Sequence, residues 1–257
     1  MKQSTFVIIV VVLAFAIALG IYLFVLGNPA NFKDGDNRQK PDNLMGMVYT
    51  GGPIVPVLIS LSIMVITFIV ERILSLRKAQ GRGSLPTFLK NVQRSLSSGD
   101  VEAAVKACEH QRGSMANIIR AGLEHYQTFT KEHKTMEAEK QMAEVQRAIE
   151  EATALEMPLL EKNLIAMSTI ASIATMLGLL GTVIGMIRAF QAMAHAGAPD
   201  AIQLSIGISE ALVNTALGIF AAVVGIVAYN FFVNKVDNFT YMIDEASYDI
   251  LQTLKAK

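Results

Sequence analysis

One carboxylate stands alone in a long apolar stretch. Glu210 is the single charged residue between Ala201 and Val233, within IQLSIGISEALVNTALGIFAAVVGIVAYNFFV. A carboxylate at the centre of a membrane-spanning helix costs about 2.5–3.5 kcal/mol on insertion scales. Such a group is kept where it faces protein or water, and there it can exchange a proton, hold a cation or bind a partner. The plainer reading is a glutamate that hydrogen-bonds a neighbouring helix and acts as glue. Asn214 lies four residues further on and shares its face. Thr182 lies 12 residues before Ala194 and Thr215 lies 14 after Ala201, so a hairpin turning between them puts both threonines at similar depth. The expected polar layer is therefore Thr182, Asn214 and Thr215, with Glu210 about 1.5 turns nearer the turn. A threonine hydroxyl can also satisfy a carbonyl of its own helix, which is its commoner use. Together these groups suit an ion path, and protons and sodium are both compatible with it.

Other chemistry is poorly represented. His110, His125, His133 and His195 do not cluster, and one cysteine, Cys108, allows neither an internal disulfide nor a cysteine-based metal site. No Gly-rich phosphate loop, Walker pattern or metal-binding His pair occurs. The expectation is no enzyme, no cofactor and no metal. The 22 basic and 22 acidic residues cancel, which removes the bulk electrostatic case for nucleic acid.

The elements that must position these residues are membrane helices. The chain is 52% hydrophobic and 17% charged, and its apolar residues fall in blocks long enough to cross a bilayer. The first block, 6–26, is uncharged. Lys2 would suit a signal peptide, but the block exceeds a usual signal core and GNPANF is a poor cleavage site, so a retained anchor over 1–27 is expected. A polar loop with three bases and three acids fills 28–47 and is placed in the periplasm. The second span is expected at 48–71, with Gly51, Gly52, Pro53 and Pro56 in its first turns. Arg77, Lys78 and Arg82 follow it and mark the cytoplasmic side. Residues 161–233 form a transmembrane hairpin, joined by the short AHAGAPDA. Arg188, near the outer end of the third span, does not fit the charge rule and is expected to snorkel or to face a wet cavity. Both termini are then cytoplasmic, and 234–257 is a cytoplasmic C-terminal helix.

A cytoplasmic helical region, 72–160, carries most of the charge. Ser98 or Asp100 caps a helix with apolar positions at Val101, Ala104, Val105 and Cys108. Residues 136–193 contain strong helix formers and no glycine at the junction with the third span. One helix of ~85 Å is expected there at 1.5 Å per residue, kinked by Pro158. In the hairpin, Gly178, Gly181 and Gly185 remove bulk from one helix and Gly207, Ala211, Gly218, Ala222 and Gly225 from the other. In lipid such spacing permits close helix contact. The fold class is therefore all-α: an integral membrane helical protein with four transmembrane helices and long cytoplasmic helical extensions. The two small-residue faces suggest a tight oligomer.

GLLGTVIGMIRAF (178–190), GISEALVNTALGIFAAVVGIVAYNFF (207–232) and the terminal FTYMIDEASYDIL resemble the MotA/TolQ/ExbB family of proton-channel proteins, in its ExbB/TolQ branch. The resemblance is close over the hairpin and positional only in the second span. It implies a homo-oligomeric ring, a homopentamer in the bacterial inner membrane, around the membrane helices of a single-span partner of the ExbD/TolR type, with a TonB-like protein as a further partner. The partner's aspartate would carry the proton, and the proton-motive force would drive work at the outer membrane. The glutamate and two threonines of the family's inner pore fall on Glu210, Thr182 and Thr215. The extra first span and Asn214, where the ExbB branch usually has a small apolar residue, depart from the pattern. The alternative is a non-conducting scaffold that holds a partner, with Glu210 as interhelical glue. A substrate transporter is disfavoured, because no inverted repeat or broken helix is visible.

Overall fold

The computed structural model describes residues 3–33, 40–132, 138–194 and 201–255. The expected connection at 195–200, the helix start near 136, Lys2, His133 and His195 lie outside the described residues. Among the described residues the regular structure is helical: α1 (Gln3–Gly20), α2 (Leu44–Tyr49), α3 (Val55–Gln80), α4 (Leu85–Ser97), α5 (Val101–Gln111), α6 (Ser114–Glu132), α7 (Ala138–Glu161), α8 (Leu164–Ala194) and α9 (Ala201–Lys255). Four helical stretches are long and apolar enough to cross a membrane. The chain is an all-α membrane protein.

The chain divides into two compact units. One comprises Met1–Val70 and Asn163–Asn230, and the other Glu71–Lys162 and Phe231–Lys257. α3 and α9 contribute their first parts to the first unit and their last parts to the second.

In the first unit α1 continues into a π-helical turn, Ile21–Leu26. Asn31 secures its end by donating from Nδ2 to the carbonyls of Val25 and Leu26, at 2.7 and 3.0 Å. Asn43 caps α2 by accepting from the Gly46 amide at 2.9 Å, and Tyr49 at the end of α2 stacks on Tyr22 with ring centroids 4.6 Å apart. The second span is thus not one helix from residue 48. α2 stops, Gly52 takes a left-handed φ of +77°, and α3 starts after a 3-10 turn at Gly52–Ile54. A left-handed residue ends an α-helix, and glycine adopts it without a Cβ clash. Leu58, Val65 and Phe68 of α3, with Met167, Ala171 and Ala174 of α8, are fully buried or nearly so. Large apolar side chains also lie on the outside, among them Leu179, Val183 and Phe190 of α8 and Phe220, Val223 and Val227 of α9. An apolar exterior is costly in water and natural in lipid.

The second unit is an amphipathic helical bundle. Asp100 caps α5 by accepting from the Ala103 amide at 2.8 Å, and the Ser98 hydroxyl instead donates to the Ser95 carbonyl. Leu96, Cys108, Ile118, Ile119, Leu123 and Val145 form its interior, the stripe that the 3–4 spacing marks. Arg72 is fully buried. It bonds Glu71 twice at 2.8 Å and donates from Nη1 to the Leu160 carbonyl at 3.0 Å, so it caps the last turn of α7.

The single helix expected over 136–193 is two helices. α7 carries Pro158 within it, and the interruption falls instead at Lys162–Asn163, where Asn163 has φ +63°. Asparagine tolerates the left-handed region, so it terminates a helix where no glycine is present.

Candidate ion site in the membrane helices

The site is built on two helices that touch through their backbones. A Cβ on Gly185 would lie 2.7 Å from the Ala211 nitrogen and the Gly207 oxygen, and one on Gly218 would lie 2.7 Å from the Ala174 oxygen and 2.8 Å from the Gly178 Cα. Gly178, Gly181, Gly185, Gly207 and Gly218 therefore hold α8 and α9 at a separation that no larger side chain permits. At Gly181 the space a Cβ would need is taken by Asn214, whose Cγ and Nδ2 would be 2.7 and 2.9 Å away.

Glu210 and Asn214 extend from this seam toward the turn before α3. Glu210 is 2% exposed and Asn214 is fully buried. Asn214 Nδ2 donates to the Gly51 carbonyl at 2.8 Å. Gly52 brings its backbone against the carboxylate, since a Cβ on it would stand 2.6 Å from Glu210 Oε1. Arg188 Nη1 donates to the same Oε1 at 2.5 Å. The arginine side chain is 49% exposed and the glutamate side chain 3%. A charge-assisted bond of this kind offsets the cost of burying the carboxylate. Asn214 Oδ1 is buried without a hydrogen-bond partner among the described residues. An acceptor left in that state costs about 1–3 kcal/mol and is a natural place for a proton donor.

The threonines take another direction. Thr182 Oγ1 donates to the Leu179 carbonyl of its own helix at 2.5 Å, and Thr215 Oγ1 reaches toward the Gly178 carbonyl at 3.5 Å, beyond ordinary bond length. The structure thus brings Glu210 and Asn214 together with Gly51, Gly52 and Arg188, and directs the hydroxyls of Thr182 and Thr215 to carbonyls of α8. Sequence reasoning missed Arg188 as the partner of Glu210. The signal was there: Arg188 is seven residues after Gly181, so it lies on the glycine face, and it is six residues before Ala194, close to the depth of Glu210. It missed Gly51 and Gly52 as well, because nothing local tells a helix-starting glycine from one that receives a side chain across the fold. Among the described residues no group of three His, Cys, Asp or Glu could hold a metal ion.

The seam, with one ion pair and one amide clamp, can hold a carboxylate dry, exchange it between arginine and another cation, and couple that exchange to the turn before α3. The model of the MotA/TolQ/ExbB proton channel family matches residues 110–245, which include all of α8, the site residues of α9 and neither Gly51 nor Gly52. The Tol-Pal system protein TolQ of Pseudomonas aeruginosa is 33% identical over 115 residues, 45% of this chain and 49% of that protein. The biopolymer transport protein ExbB of Aquifex aeolicus is 39% identical over 77 residues, 30% of this chain and 52% of its own. An ExbB homolog of Methanothermobacter thermautotrophicus is 27% identical over 195 residues, 76% of this chain and 64% of its own. The chain spans about half the length of the curated relatives it matches.

Proposed function

The chain belongs to the MotA/TolQ/ExbB proton channel family, and we propose that it is the ring-forming subunit of an ion-driven inner-membrane motor. In this reading several copies, five by family likeness, surround the membrane helices of a single-span partner of the ExbD/TolR type. Both termini lie in the cytoplasm. Protons moving down the proton-motive force cross between ring and partner, and the partner transmits the resulting movement to a task at the outer membrane. The role is ion coupling, with no covalent substrate.

The observation that carries this reading is the buried Glu210 paired to a half-exposed Arg188 within a glycine-lined seam. A fully enclosed pair would be inert, and an exposed one would be cheap to break and weakly coupled to the fold. Here the exposed partner can leave while the buried partner stays. A proton arriving at Glu210 releases Arg188, and its departure restores the pair. Gly52, pressed against the carboxylate, transmits the change to the start of α3.

The scaffold alternative also draws on a specific observation. Asn214 bonds the Gly51 carbonyl and Glu210 bonds Arg188, so both polar groups link helices or turns and could do only that. Proteoliposomes holding this chain and a single-span partner separate the two readings. Glu210→Gln keeps a hydrogen-bonding group of the same shape and removes the ionisable one. Loss of potential-driven proton flux in an intact complex supports the motor; unchanged flux supports the scaffold.

A further inference from the structure

The second unit contains a cavity of about 580 Å³ with four basic residues in its lining: Lys78, Arg82, Arg112 and Lys162. None of the four has an ion-pair partner among the described residues. The one carboxylate in the lining, Glu156, accepts from Asn117 Nδ2 at 2.9 Å. Four unpaired cations around one cavity repel each other, at a cost that an anion would relieve. Gly113 and Ser114, at the start of the 19-residue α6, also line it, so the unpaired amides of the helix N-terminus add partial positive charge.

The cavity floor is fixed rather than loosely looped. The Arg82 amide donates to the Gln111 carbonyl at 2.6 Å, and Gln111 Nε2 donates to the Gln80 carbonyl at 3.2 Å. Gly81 and Gly113 let the two backbones meet: a Cβ on Gly113 would lie 2.7 Å from the Gly81 nitrogen. Arg82 and Arg112 thus extend from backbones tied together before any ligand arrives.

What surrounds the charges identifies the kind of anion. Leu159 lines the cavity and is 58% exposed, while Leu155, one turn earlier on α7, and Leu74, one turn before Lys78 on α3, are exposed as well. Along the chain Lys78 lies about two helical turns after the apolar block that ends at Val70, and Lys162 lies two residues before α8 begins. Cations beside exposed leucines, where the chain enters and leaves apolar helices, match a phosphate ester that carries acyl chains. A free phosphate would have no use for the leucines.

We propose that this cavity binds the phosphate headgroup of an anionic membrane phospholipid, with Lys78, Arg82, Arg112 and Lys162 on the phosphate and Leu159 against the acyl chain. The site is separate from the Glu210 seam and stands whether or not that seam conducts. It would give the bundle an anchor at the membrane surface that responds to lipid composition and to salt.

The test is native mass spectrometry of the delipidated full-length chain in detergent, titrated with phosphatidylglycerol or with phosphatidylcholine of the same acyl chains. Phosphatidylglycerol should bind preferentially, and its binding should weaken as salt rises. Lys78→Gln with Arg82→Gln changes two exposed side chains and should weaken phosphatidylglycerol roughly 25-fold, each cation placed on the phosphate contributing about a factor of five. Arg77→Gln, just outside the cavity, should leave binding unchanged. Equal uptake of the two lipids, or a double variant that binds phosphatidylglycerol like the wild type, would overturn the proposal. Inorganic phosphate displacing phosphatidylglycerol at equal concentration would also overturn it, in favour of a free-phosphate site. If the double variant does not fold, the lipid preference and its salt dependence in the wild-type chain decide.

Discussion

A carboxylate with 2% exposure in a membrane helix needs an opposite charge, and Arg188 supplies it from the neighbouring helix. Gly52 matters at the same scale. Alanine there meets two penalties at once: a left-handed φ of +77° and a Cβ 2.6 Å from Glu210 Oε1. Gly52→Ala should lower stability in detergent by about 1–2 kcal/mol, read as a fall in Tm, and should leave the fold otherwise helical by circular dichroism. A Tm equal to that of the wild type would mean that the turn does not press on the carboxylate. Cys108 offers a second check in the other unit. Burial pushes its thiol up to about 12, against about 8.5 for a free cysteine. The folded state therefore keeps its proton where the unfolded chain loses it, so this group favours the fold evenly below about pH 8.5 and progressively opposes it as pH rises toward 12. Iodoacetamide should label Cys108 in denaturant at pH 8.5 and leave it unlabelled in the native chain; rapid native labelling would show the thiol to be accessible. The sequence made Glu210 conspicuous because charge is rare in an apolar run. It left Arg188 an anomaly, because a charge rule that assigns sides of a membrane does not ask which charges meet.

At the scale of elements, α8 and α9 pack backbone to backbone, and side-chain size at the seam sets their spacing. Gly181→Leu would drive a branched side chain into Asn214 and part the helices where Glu210 is held. The expected result is a reduced yield of folded protein from membranes and a smaller or mixed oligomer in detergent; normal yield and size would contradict it. Small residues at three- and four-residue spacing are visible in the sequence, but which partner each one faces is not, since that depends on register across a turn. The second span shows another limit of reading along the chain. Proline and glycine at 51–56 are compatible with the first turns of a helix, and only the contact of Gly51 and Gly52 with α9 explains a stop and restart there. The break at Lys162–Asn163 was hidden for a similar reason. Pro158 is the stronger local breaker, yet α7 runs through it and ends at Glu161, where the Leu160 carbonyl is capped by the buried Arg72 from 88 residues earlier.

At the scale of the molecule, four apolar helical stretches and a family match over residues 110–245 make this a multi-pass membrane protein of the proton-channel family. The spans were legible because a bilayer demands long uncharged helices, a requirement that composition alone reveals. The apolar exterior of α8 and α9 provides surface for lipid and for neighbouring copies, which the proposed ring requires. The central claim is that Glu210 exchanges an ion rather than merely joining helices. Its most direct test is potential-driven proton flux in proteoliposomes containing this chain and a single-span ExbD/TolR-type partner, comparing wild type with Glu210→Gln. Flux in the wild type that disappears in the variant, with the complex still intact on purification, is the predicted result. Undiminished flux in Glu210→Gln would contradict it and leave the glutamate as a hydrogen-bonding strut.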